Sequence, residues 1–92
     1  MAAKTTTIKA FEIGKSYFIR TVTYHLTGRL VAVDGEFLIL ESAAWIADSG
    51  RFMQALQEGK LSEVEPVGNA IVNKGSICDA FPWTHDLPEV QK

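Results

Sequence analysis

The chain has 92 residues, 47% of them hydrophobic and 22% charged, with a formal net charge of −2. That composition describes one small globular domain, residues 1–92, and excludes a disordered segment. The acidic balance weighs against a strongly basic nucleic-acid binder, and no apolar run approaches the ~18 residues of a membrane span.

No signal-peptide pattern opens the chain, so an intracellular, soluble, cytoplasmic protein without a membrane role is expected. Cys78 is the single cysteine and His25 and His85 are the two histidines. An internal disulfide and a multi-thiolate zinc site are thereby excluded, and no metal or other cofactor is expected. Charge is unevenly placed. Residues 1–33 carry Lys4, Lys9, Lys15, Arg20 and Arg29 against Glu12 alone, whereas acidic side chains dominate from Asp34 onward.

Residues 1–13 read as an N-terminal arm, anchored by Ile8, Phe11 and Ile13. The run YFIRTVTYHL, 17–26, is rich in aromatic and β-branched residues and predicts one strand. Arg20 stands among apolar positions of that strand. It needs a bend that turns it outward, or a carboxylate or phosphate to hold. Gly28 opens a second strand, Arg29 to Val33. Asp34-Gly35 is a strong type I′ hairpin signal, and Phe37 to Glu41 returns antiparallel. Neither run alternates, which marks strands covered on both faces.

Trp45, within Ala43-Ala44-Trp45-Ile46, is expected in the core or in a subunit interface. Ser49 is a candidate cap for a short helix with Phe52 and Leu56 on one face and Gly59 as its stop. Leu61 to Glu65 alternates as a half-exposed strand ended by Pro66 and Gly68. Ala70-Ile71-Val72, Asn73-Lys74-Gly75 and Ser76-Ile77-Cys78 read as a second hairpin. Residues 81–92 form a tail anchored by Phe81 and Trp83. Five short strands with close turns predict a small, strongly bent sheet or barrel.

Two stretches resemble the motifs of Sm-like proteins, particularly the Hfq type. The first is Gly28, Leu30, Asp34 and the run Phe37-Leu38-Ile39-Leu40. The second is Asn73-Lys74-Gly75-Ser76-Ile77. The resemblance implies a mainly β fold: a strongly bent five-stranded antiparallel Sm-like (SH3-like) barrel. Here it would carry a short helix between the third and fourth strands, where most members have a shorter connection. Two further departures stand out, the lack of a turn glycine within residues 20–27 and of an evident N-terminal helix.

The resemblance further implies a homo-oligomeric ring of five to eight copies, joined edge to edge through the fourth and fifth strands. The candidate interface is Asn69, Ala70, Ile71 and Val72 with Ser76, Ile77, Cys78, Asp79 and Ala80. It also implies single-stranded RNA at the pore face, with Lys74, Gly75, Asp34, Arg20 and Arg29 as candidate contacts. Glu36 stands where the Hfq-type loop has an aromatic, and Phe37 is expected in the core. A ring that binds a protein partner and no RNA therefore stays open. An enzyme is not expected: His25, Ser76, Cys78, His85 and Asp86 supply reactive groups, but no motif sets them together.

Overall fold

The computed structural model describes residues 10–92, so the anchor expected at Ile8 lies outside the described residues. Five strands follow in order: β1 (Ser16–Thr21), β2 (His25–Asp34), β3 (Phe37–Asp48), β4 (Glu63–Asn73) and β5 (Ile77–Pro82). Helix α1 (Phe52–Glu58) lies between β3 and β4, and one 3-10 turn (Lys74–Ser76) lies between β4 and β5. The strands form a single antiparallel sheet in the order β4-β3-β2-β1-β5. The mainly β fold with its helix between the third and fourth strands is thus as expected.

Several local expectations need correction. Residues 17–26 are not one strand, because the chain reverses at Val22–Tyr24 without a glycine. Thr21 Oγ1 does the work, donating to the Tyr24 carbonyl at 2.6 Å and accepting from its N–H at 3.1 Å. A hydroxyl that satisfies both groups stands in for the backbone of a tight turn. Arg20 then pairs with His25 across the new hairpin.

The second hairpin does not form either. β4 pairs with β3, from Phe37↔Asn73 to Asp48↔Glu63, and β5 pairs with β1, from Tyr17↔Pro82 to Thr21↔Ile77. The connecting turn is 3-10, held by Asn73 Oδ1 accepting from the Gly75 N–H and by Ser76 Oγ donating to the Asn73 carbonyl, both at 2.8 Å. A type I′ turn would fold the chain back along β4. This turn carries it across the mouth of the bent sheet to the opposite edge.

β4 runs through Pro66 and Gly68 because it is an edge strand, where a missing ladder donor is tolerated. β3 likewise runs past Glu41 to Asp48. Ser42, at a positive φ of 50°, and the register shift between Leu40 and Ala43 bend it rather than end it. Helix α1 starts later than expected. Its N-cap is Arg51 with no side-chain cap, whereas Ser49 Oγ points to the Gly50 carbonyl. Gly59 stops it as expected, at φ 74° with its N–H on the Ala55 carbonyl.

The sheet has an apolar cluster on each face. Tyr17, Ile19, Leu26, Leu30, Leu38, Leu40, Ala43 and Val72 fill its concave side. Phe18, Ala44, Ile46, Ala55, Leu61, Val64 and Trp83 form the second, under α1 and the tail. β1 serves both, since Tyr17 and Ile19 point one way and Phe18 the other. Gly28 sits at the bend, where an added Cβ would stand 3.1 Å from Leu40 Cβ and 3.3 Å from Ala43 Cβ. Only a residue without a side chain lets β2 and β3 approach so closely.

Candidate nucleic-acid interface

The β2–β3 turn and the β4–β5 turn meet at one end of the sheet. The turn residues are Gly35 and Glu36, not the expected type I′ pair Asp34-Gly35: Asp34 pairs with Phe37 and only Gly35 takes a positive φ, 58°. The Lys74 N–H donates to the Glu36 carbonyl at 2.8 Å. Beside this contact Phe37 pairs with Asn73, the last rung of the β3–β4 ladder. Asp34, Gly35, Glu36, Phe37, Asn73, Lys74 and Gly75 are all exposed there. The ammonium of Lys74 has no ion-pair partner among the described residues. Two carboxylates, Asp34 and Glu36, share the site with it.

Phe37 was expected in the core but is 44% exposed. Its neighbours Leu38 and Leu40 take the buried side of β3, and Phe37 lies at the end of the β3–β4 ladder. The sequence signal was its adjacency to Asp34-Gly35, which places it at a strand tip.

The two candidate arginines are engaged elsewhere. Arg20 Nε donates to Asp79 Oδ1 at 2.6 Å and Nη2 pairs with the second carboxylate oxygen, joining β1 to β5. The guanidinium also lies 4.9 Å from the Phe52 ring centroid and 5.7 Å from that of Phe81. These hydrogen bonds hold the Asp79 carboxyl below the usual carboxylate range and raise Arg20 further above its own. Arg29 pairs with Glu41 across β2 and β3.

The candidate interface residues lie on the two outer strands. Among the described residues, no strand pairs with the outer edge of β4 or of β5. Ile71 is 71% exposed and Asn69 and Cys78 are exposed, whereas Val72 turns into the core. Ala70, Ile77 and Ala80 pack partly against the core, and Asp79 is held by Arg20. Ser76 belongs to the 3-10 turn and Val22 N–H donates to its carbonyl at 3.0 Å.

Trp45 is not in the core. It is 44% exposed, with its ring centroid 5.1 Å from that of Tyr24. The pair walls a groove of about 430 Å³ that runs along Val67 to Asn73 of β4. Tyr24 carried no signal in the sequence because the turn that presents it contains no glycine or proline.

The reactive groups are dispersed. His85 Nε2 lies 2.7 Å from the Leu56 carbonyl and its ring packs on Trp83, His25 packs against Phe18, and Cys78 is exposed on β5. No group of His, Cys, Asp and Glu suited to a metal ion occurs among the described residues, and no helix there is long and apolar enough to cross a membrane.

No protein-family model matches the chain, and no curated protein matches it significantly. Among solved structures it is similar to a heptameric archaeal Sm protein, at 22% identity and a TM-score of 0.56 over 76% of this chain and 87% of that one. Two motifs, the strand order and the bend at Gly28 lead to the same place: the chain has the Sm-like fold.

Proposed function

We propose that this chain forms a closed ring of identical copies whose pore face binds single-stranded RNA. The carrying observation is the hydrogen bond between the Lys74 N–H and the Glu36 carbonyl, which joins two separate turns into one exposed surface. That surface offers a cation at Lys74 and a flat ring at Phe37, the two elements that sequence-tolerant single-strand binding uses. Repetition around a ring would turn one lysine per copy into a local positive field.

Ring formation is supported by the edges. Among the described residues no strand pairs with the outer edge of β4 or of β5, and cyclic pairing of one with the other would leave neither free. Asn69 to Val72 and Ser76 to Ala80 are the strand segments that would meet. The similar archaeal protein is heptameric, so seven copies is the first order to test. Asp34, Gly35 and Gly75 shape the loops. Arg20 and Arg29 would contact RNA only by giving up their carboxylate partners, so they contribute less than Lys74.

A second reading, an adaptor ring that binds protein, is favoured by one observation: Asp34 and Glu36 outnumber Lys74 at the shared site. Fluorescence anisotropy with uridine and adenosine oligoribonucleotides separates the two. The RNA reading expects binding that weakens steeply between 50 and 200 mM salt, as released counterions require, and that is lower in Lys74→Ala. Absence of binding at 50 mM salt would leave the adaptor ring.

A further inference from the structure

A strand adding to β4 needs edge backbone groups that nothing else has taken, and the edge is not uniform along the eleven residues of β4. At its start the chain's own tail lies alongside. The Val64 N–H donates to the Lys92 carbonyl at 3.1 Å and the Lys92 N–H to the Val64 carbonyl at 3.0 Å. This reciprocal exchange is that of a hydrogen-bonded antiparallel pair. Gln91 Nε2 reaches Glu65 Oε1 at 3.0 Å, and Lys92 Nζ reaches the Leu61 carbonyl at 2.8 Å.

The tail is anchored to reach that place. Trp83 is 4% exposed in the second core cluster, and His85 packs over the end of α1 against the Leu56 carbonyl. Beyond the tail, Pro66 has no N–H to offer an incoming strand. From Val67 to Asn73, no strand pairs with the outer side of β4 among the described residues. This remaining stretch borders the Tyr24–Trp45 groove, whose lining carries no charged side chain.

We propose that residues 88–92 are an edge guard, which takes the outer edge of β4 at Val64 and confines a second copy's β5 to Val67–Asn73. The identity of the incoming strand rests on the ring reading above; the guard itself rests on the tail's hydrogen bonds. β5 has six residues and β4 eleven, so an unguarded β4 would accept β5 in several registers. A slide of two residues keeps every side chain on its own face and therefore costs little. A ring closes only when every interface repeats one rotation, and a slipped interface opens it into a helical filament. With Val64 taken and Pro66 lacking an N–H, seven residues of β4 remain for the six of β5, too few for a slide of two.

The β5 strand suits the remaining stretch. Its one charged residue, Asp79, is already paired with Arg20, so no unpartnered charge enters the groove.

The test compares the full chain with a form lacking residues 88–92, which keeps Trp83 and Leu87, and with Lys92→Pro, which removes one donor of the exchange. Val90→Ala changes an exposed tail side chain, keeps every tail hydrogen bond and is the control. Native mass spectrometry and sedimentation should show one closed species for the full chain and for Val90→Ala. Both release variants should show several assembly sizes and at least several-fold more pelleting material. Hydrogen exchange should show the Val64 amide protected in the full chain and at least tenfold faster in the release variants.

Release variants with the same single species and the same Val64 protection as the full chain would overturn the guard. A monomeric full chain whose release variants self-associate would overturn the ring reading and keep the guard. If all forms are monomeric, both are wrong.

Discussion

Gly28→Ala is the substitution that best tests why this sheet bends where it does. By propensity alone, alanine should stabilise a strand interior, by about 0.4–1 kcal/mol through a less flexible unfolded chain. The structure reverses the sign. The new Cβ would stand 3.1 Å from Leu40 Cβ, 3.2 Å from Leu40 Cδ1 and 3.3 Å from Ala43 Cβ. Leu40 is 0% and Ala43 1% exposed, and a Cβ cannot rotate away as a side-chain end could. Overpacking of this kind costs about 1–3 kcal/mol, and subtracting the unfolded-state gain leaves a net loss of up to about 2.6 kcal/mol, about 1–2 at mid-range.

For a domain of this size each kcal/mol moves Tm by about 4–8 °C, so a fall of roughly 5–15 °C is expected. Circular dichroism melts read it, at one protein concentration for both forms because association also shifts Tm. Leu40→Ala removes only the Cδ1 contact and keeps both Cβ contacts, so most of the cost of Gly28→Ala should persist in that background. A Gly28→Ala protein as stable as the parent would refute the close approach as the reason for the glycine.

Four further outcomes are expected. Gly59→Ala combines a left-handed residue, at φ 74°, with a Cβ 2.8 Å from His85 Cβ; it should cost about 2–4 kcal/mol in chemical denaturation. Trp83→Ala empties the anchor of the tail and should cost about 3–5 kcal/mol, with loss of Val64 amide protection as the specific readout. Trp45→Ala removes a partly exposed ring and should leave the monomer fold almost unchanged, yet weaken self-association at least tenfold if the groove is an interface.

The Asp79 carboxyl, lowered by its hydrogen bonds to Arg20, contributes stability that is complete above the ordinary carboxylate range. That stability is lost as pH falls through the lowered value. Asp79→Asn should therefore flatten the acid limb of a stability–pH profile and leave its neutral part parallel to that of the parent.

Local chemistry alone determined much of this protein. Gly35 marks the hairpin because it accepts positive φ, and Gly59 ends a helix for the same reason, although the turn residues are Gly35 and Glu36 rather than the expected Asp34 and Gly35. The unbroken apolar runs at Leu30–Val33 and Phe37–Leu40 suggested cover on both faces, but only Leu30, Leu38 and Leu40 are buried. Val31, Val33 and Phe37 are 39%, 43% and 44% exposed, and α1 and the tail cover Phe18, Ala44, Ile46 and Val64 instead. The loop carrying Lys74 was legible as well, since a basic residue between two short strands lies at a tip.

Tertiary structure decided the rest, because it turns on which distant group meets which. Thr21 can replace a turn glycine only once its hydroxyl meets Tyr24 in a folded hairpin. Asn73-Lys74-Gly75 looks like a hairpin loop to any local rule, yet β5 leaves for β1 because the sheet has already bent far enough to bring that edge near. Arg20 found Asp79 and Arg29 found Glu41 for the same reason: strand register, set by packing across the whole sheet, assigns the partners. Phe37, Trp45 and Tyr24 are apolar residues that any composition rule would bury. Only the finite extent of the sheet leaves them at its end and edge, where a ligand or another copy can reach them.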